Sequence, residues 1–382
     1  MTGAASLGYR RGALWGLLVT KLLGAWGLTW DIQWHLTIGR DTFWIPPHLM
    51  IYSSVVGGLV LGSGVLVLEW RGRVAPARGF RLATLGLVLV VLAAPIDDLW
   101  HRLFGIDVTL WSPPHLLALF GSAVSTLGCV LIATEVYPLG SLKGRSALVL
   151  ASGVLYGGIR VTLDPSWLVA YSHGGVLFHT FTMLAALALP LALVTAARVS
   201  GMRWAPVFAV VVSFAVGVGG QQVARAGFGV FQPASFIEEE IARDPSSALA
   251  AGREIAEKNR TVPATAWPLR LSLSLLPAAL MASADPRRRP GVATIVYGLG
   301  YVHRLRLVSH EPASLRAARA SCERDRDGSA THGGVRRRRR PRVALALRPP
   351  GGRRARPARR AAPAPGDLRR LSESPGQVSD RR

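Results

Sequence analysis

The sequence predicts an all-α polytopic integral membrane protein with eight or nine transmembrane helices and a duplicated two-helix unit. Three observations carry this. Half of the 382 residues are hydrophobic and the mean hydropathy is +0.30, gathered into long uncharged runs of bilayer length. Basic residues collect in every second connection between those runs. One pattern of acid, tryptophan, proline and histidine occurs twice, 66 to 67 residues apart.

The apolar runs lie at 12–30, 48–69, 82–96, 114–133, 146–162, 174–196, 204–219, 266–283 and 291–302. The first follows Arg10 and Arg11, as a signal peptide does. Its length suits a span, and no small-residue cleavage site precedes Asp31, so an uncleaved first helix is expected. The second opens on Pro46-Pro47-His48 and the fourth on Pro113-Pro114-His115; proline is favoured in the first helical turn. The units 12–69 and 82–133 are therefore two helical hairpins of the same design. Between runs seven and eight lies the one sizeable outer segment, 220–265. Its Glu238-Glu239-Glu240 and the Ala/Glu/Arg pattern at 246–258 predict short surface helices over the ends of the spans. The ninth run is short and closes a membrane domain of 1–302.

The remainder, 303–382, is of another kind. From Tyr301 onward there are 22 Arg, no Lys and seven acids, a net +15 out of the chain's +23. With its Gly, Pro and Ala and no apolar period, this tail predicts disorder. Such arginine-rich low complexity also suits GC-rich coding sequence read in an altered frame, the origin expected for it. The positive charge thus belongs to the tail and the inner loops, and the expected partner is the lipid bilayer rather than nucleic acid.

The loops set the orientation. Arg10 and Arg11, Arg71 to Arg81, Lys143 and Arg145, Arg198 and Arg203, and Arg287 to Arg289 mark alternate connections as cytoplasmic. The connections 31–47, 97–113, 163–173 and 220–265 then face outward. The protein is expected in the cell membrane with both copies of the repeated pattern at the outer face.

The first copy is Asp31-Ile-Gln-Trp-His35 followed by Trp44-Ile-Pro-Pro-His48; the second is Asp97-Asp98-Leu-Trp-His101 followed by Trp111-Ser-Pro-Pro-His115. Asp and His four apart share a helix face. A short connection returns the second histidine to the same level. Each copy therefore gathers one carboxylate and two imidazoles, a set that takes copper, zinc or non-haem iron with positions left open. Asp31, His35, His48, Asp97, His101 and His115 are the candidate metal ligands. Interfacial anchoring by Trp and hydrogen-bonded Asp and His is the structural alternative. Repetition favours the metal, because both copies keep the ligand-capable and turn-forming residues while the spans differ.

Other residues carry weaker signals. His173 and His179 lie six apart and do not share a helix face. Asp98 serves as a cap or a solvated neighbour. Asp41 and Asp107 fix turns or support the ligands. Gln221, Gln222 and Arg225 end the seventh run. Cys129 lies in an apolar run as packing, and with Cys322 it makes no disulfide framework or CxxC motif.

The stretch Asp31 to Thr42, with Pro47-His48, resembles a motif in one membrane subunit of the copper membrane monooxygenases, the particulate methane and ammonia monooxygenases. That family has an Asp, a His four residues on and a second His thirteen further, with Arg-Asp-Thr between and Pro before the last His. Asp31, His35, Arg40-Asp41-Thr42, Pro47 and His48 fall in those places. The resemblance implies copper ligation by Asp31, His35 and His48, close to where a small uncharged molecule is oxidised with O₂, and further membrane subunits as partners. It covers this one stretch. The second copy departs from it, with Ile106-Asp107-Val108 in place of Arg-Asp-Thr and one extra residue before His115. The expectation is a membrane copper protein resembling a monooxygenase subunit, its catalytic residues not assigned. The alternatives are a membrane metal-ion carrier and a structural membrane protein without metal.

Overall fold

A computed structural model describes residues 3–39, 42–104, 110–138, 140–173, 175–246, 250, 253 and 267–309. The tail after 309, Arg40, Asp41, Asp107 and most of 246–258 lie outside the described residues, and with them the expectations for those segments. For Asp164, His173 and His179 only the helical backbone is described.

Ten helices stand among the described residues: α1 Gly3–Thr37, α2 Pro46–Trp70, α3 Arg78–Phe104, α4 Pro113–Val136, α5 Leu142–His173, α6 Gly175–Ser200, α7 Ala205–Phe231, α8 Ile237–Arg243, α9 Trp267–Ser283 and α10 Pro290–Ser309. No strand occurs among them. Seven helices are long and apolar enough to cross a membrane, namely α1 to α4, α7, and the parts Leu142–Leu163 of α5 and Thr182–Ser200 of α6. The expected eighth and ninth runs form α9 and α10, which pack on each other and against α7 and α6.

Several helices run past the ends of their apolar runs. α1 continues through Asp31, Trp34 and His35 to Thr37, because nothing before Gly39 breaks it; Gly39 has φ 75°. α3 carries Pro95 in its interior and still reaches Phe104. A buried bundle tolerates the carbonyl that proline frees. The expected outer connection at 163–173 is helical backbone of α5 as far as His173. α7 absorbs the first part of the expected outer segment and stops at Phe231, where Gln232 turns the chain with φ 43°.

Lipid is as apolar as leucine, so burial alone does not hold these helices together; close packing and polar ties do. α3 and α4 meet backbone to backbone. Gly79 and Gly86 of α3 lie against Ile132 and Ser125 of α4, and Gly121 and Gly128 of α4 lie against Gly86 and Ala83 of α3; a Cβ at any of the four glycines would overlap the facing backbone. α1 and α2 pack in the same manner at Gly24 against Ser54 and Gly27 against Ile51. At the far end of the second hairpin, the Glu135 carboxylate accepts hydrogen bonds from the Arg78 N–H (3.0 Å) and the Gly79 N–H (3.2 Å). It thereby caps the N-terminus of α3. Nearby, Arg11 donates to the Val136 carbonyl at 2.9 Å and Trp15 to the Tyr137 hydroxyl at 2.9 Å, which joins α1 to the end of α4.

The buried apolar residues form two main clusters. One joins α1 to α4 with the start of α5, around Leu14, Leu17, Phe80 and Ile132. The other joins α5, α6, α7, α9 and α10 around Tyr156, Leu193, Met281 and Tyr297, with the two phenol oxygens 3.1 Å apart. A smaller aromatic cluster closes the end of the first, with Trp30 and Trp34 of α1 against Ala224 and Phe228 of α7. It is beside this aromatic cluster that the repeated residues meet.

Candidate metal centre

Both Asp/His pairs ride on the last turns of α1 and α3, and both Pro-Pro-His segments open α2 and α4. The helix order thus puts all six residues at one end of the bundle. Arg71 and Arg73, between α2 and α3, and Lys143 and Arg145, in the first turn of α5, lie at the other end.

In the first hairpin Asp31 Oδ1 is 3.1 Å from His48 Nε2 and 3.6 Å from His35 Nδ1. In the second, Asp97 Oδ1 is 3.2 Å from His115 Nε2 and Asp97 Oδ2 is 3.6 Å from His101 Nε2. Asp97, His101 and His115 each offer a ligand atom within 4.8 Å of the others. The two sets are neighbours: the His35 and His101 rings lie 6.0 Å apart, His35 and His48 6.4 Å, and His101 and His115 5.8 Å. The sequence left open whether the copies form one site or two; among the described residues the Asp97 set brings its three ligand atoms to a common point, and the Asp31 set stands beside it through the His35 and His101 rings.

The hydrogen bonds indicate which atoms are available to a metal. The His35 Nδ1–H donates to the Asp31 backbone carbonyl at 2.9 Å, and the His48 Nδ1–H donates to the Thr42 carbonyl at 3.1 Å. A ring nitrogen facing a carbonyl must carry the proton, which assigns the lone pair of both neutral rings to Nε2. The His48 Nε2 lone pair then faces Asp31 Oδ1 at 3.1 Å, acceptor against acceptor. Asp31 Oδ1 and Asp97 Oδ1 are both buried and accept no aligned hydrogen bond among the described residues. Two facing acceptors at that distance need a proton or a cation between them. Ligands bound at ~2.0–2.2 Å to one ion are themselves roughly 3.0–3.6 Å apart, the range of the Asp31–His48, Asp97–His115 and Asp97–His101 distances; the Asp31–His35 approach is made by the protonated Nδ1 and is not of this kind.

The neighbouring candidates are placed differently. Asp98 points out to an ion pair with Arg102 at 2.6 Å on the surface. Trp34 serves packing, its ring stacked on Phe228 at 5.9 Å, and Trp100 packs on Phe104 of its own helix. Trp44 is exposed. Trp111 donates to the Thr162 carbonyl of α5 at 2.9 Å. Gln221, Gln222 and Arg225 are exposed on α7 or nearly so, Cys129 is buried as packing, and His303 is exposed on α10.

Sequence reasoning passed over Lys21. It is 8% exposed within α1, and among the described residues its ammonium has one long contact, 3.5 Å to the Ser122 carbonyl of α4. Arg10, on the same buried face of α1, is equally enclosed. A lone lysine inside the first apolar run was the available signal.

Comparison with protein-family models, with characterised proteins and with solved structures finds no match to this chain. The residues themselves carry the functional reading.

Proposed function

We propose that this chain is a membrane copper protein, related to the monooxygenase subunit that its first motif resembles, with a six-residue centre at the outer face of the bilayer. The observation that carries the reading is the convergence of Asp31, His35, His48, Asp97, His101 and His115, with buried carboxylate oxygens set against imidazole nitrogens at 3.1 and 3.2 Å. The two hairpins are read as copies of one ancestral unit, and α9 and α10 as the eighth and ninth spans. The basic loops at the opposite end support the outward placement of the centre. Borderline imidazole and carboxylate donors suit copper, and zinc and iron accept the same set. Copper would supply O₂ binding and activation. The chain's part is to hold the Nε2 atoms of His35 and His48 through the Asp31 and Thr42 carbonyls, to bury one oxygen of each carboxylate, and to offer the centre to uncharged molecules dissolved in the bilayer. Further membrane subunits belong to this reading as partners.

A metal-ion carrier fits less well. A cation leaving the centre along α1 toward the other membrane face would meet Lys21 and Arg10, both cationic and both buried. Like charge in a low dielectric opposes such passage.

The test is copper content of the purified protein, followed by O₂ consumption with small apolar substrates. Copper bound together with substrate-dependent O₂ uptake supports the reading. Copper bound without O₂ uptake removes the oxygenase part, and no bound metal removes the whole.

A further inference from the structure

We infer that the corner made by the end of α7 and the strap 232–237 is the positioning device for the Asp31–His35–His48 half of the centre, acting on His35 through Trp30 and Trp34. This rests on the metal reading above. The last turns of α1 present two faces about 100° apart. One bears Asp31 and His35; the other bears Trp30 and Trp34.

The tryptophan face is held by the end of α7 and by the strap. Trp34 stacks on Phe228 with planes 17° apart, and Trp30 meets Phe228 edge-on at 6.3 Å and Phe231 at 5.9 Å. Contact this close requires Gly227, where a Cβ would overlap the Trp30 ring. The chain then reverses at Gln232 and returns over the end of α1. A helix end leaves its last carbonyls without intrahelical donors. Here the Ser235 hydroxyl donates to the Thr37 carbonyl at 2.6 Å and the Phe236 N–H to the Ile38 carbonyl at 2.7 Å. Ile237 closes over Gly39, whose φ of 75° and lack of a side chain admit it.

Together these contacts set both the rotation and the height of α1 where it carries its two ligands. The sensitivity is high. Side-chain tips lie ~5–6 Å from a helix axis, so a rotation of about 20° moves them by about 2 Å, a full metal–ligand bond. The end of α3 is built otherwise: Leu99, Leu103 and Phe104 around its second ligand are exposed, and α7 does not pack on α3 as it does on α1. The device therefore acts on one half of the centre and not on the other.

The experiment separates the halves. In a His101→Ala/His115→Ala background only the first set remains; in His35→Ala/His48→Ala only the second. Gly227→Ala, which pushes α7 off Trp30, is added to each, and the copper dissociation constant is read by titration alongside the copper absorption spectrum. The expected result is weakening by about tenfold or more in the first background, the usual loss when a ligand's support is disturbed. No change is expected in the second background. Adding Trp30→Phe, which shortens the clashing ring, restores both affinity and spectrum in the first. Unchanged affinity in the first background overturns the inference, as does equal weakening in both or failure of Trp30→Phe to rescue. Absence of copper from the unsubstituted protein overturns the metal reading and this inference with it.

Discussion

At the scale of single residues, Asp97 and Asp98 differ by one position and by everything around them. Asp97 Oδ1 is buried against His115, whereas Asp98 pairs with Arg102 at the surface. Asp97→Asn is expected to lower copper content and Asp98→Asn to leave it unchanged, as metal analysis of the two variants would show. An exposed ion pair contributes about 0–1 kcal/mol, so thermal stability should also separate them little. Lys21 makes a second contrast. Among the described residues its burial is compensated by a single 3.5 Å contact, and an incompletely paired buried polar group costs about 1–3 kcal/mol. Lys21→Met should therefore raise the melting temperature in detergent while copper content stays constant; a lower melting temperature would show that the ammonium has a stabilising role. The six candidate ligands were legible because their spacing occurs twice. Lys21 was not, since its partner is a backbone carbonyl of another helix and leaves no mark in side-chain pattern. The roles of Trp30 and Trp34 were hidden for a similar reason: interfacial tryptophans look alike in sequence whether they face lipid or Phe228.

At the scale of elements, hydropathy found the hairpins but ended them early. Apolar runs stop where charge begins, whereas helices stop where the backbone must turn. α1, α3, α5 and α7 therefore extend past their runs, and the candidate ligands sit on helix rather than in loops. The glycine seam of α3 and α4 holds the second hairpin closed. Gly86→Leu or Gly128→Leu would force backbones apart, an overpacking that costs about 1–3 kcal/mol or more. The expected outcome is a lower melting temperature and loss of copper from the Asp97 set before the Asp31 set, measurable in the two histidine-deleted backgrounds. Equal loss from both sets would show that the hairpins are not independent supports.

At the scale of the whole molecule, seven helices qualify as spans by length and apolarity. The alternating basic loops carry the expectation for their direction, and that expectation is open to a direct test. Gly72 lies in a basic connection and Asp244 follows α8, beyond the strap that covers the end of α1. In protein with Cys129 and Cys322 replaced by serine, a membrane-impermeant maleimide applied to intact cells should label Asp244→Cys and spare Gly72→Cys. The reverse pattern would place the centre on the cytoplasmic side.

The central claim is that six residues from two hairpins hold metal. It is met most directly by copper stoichiometry after purification in detergent, for the unsubstituted protein and for His35→Ala and His115→Ala. The account predicts about two copper ions per chain, one for each set of two imidazoles and a carboxylate, and a loss in each variant. Copper content unchanged by both substitutions would contradict it.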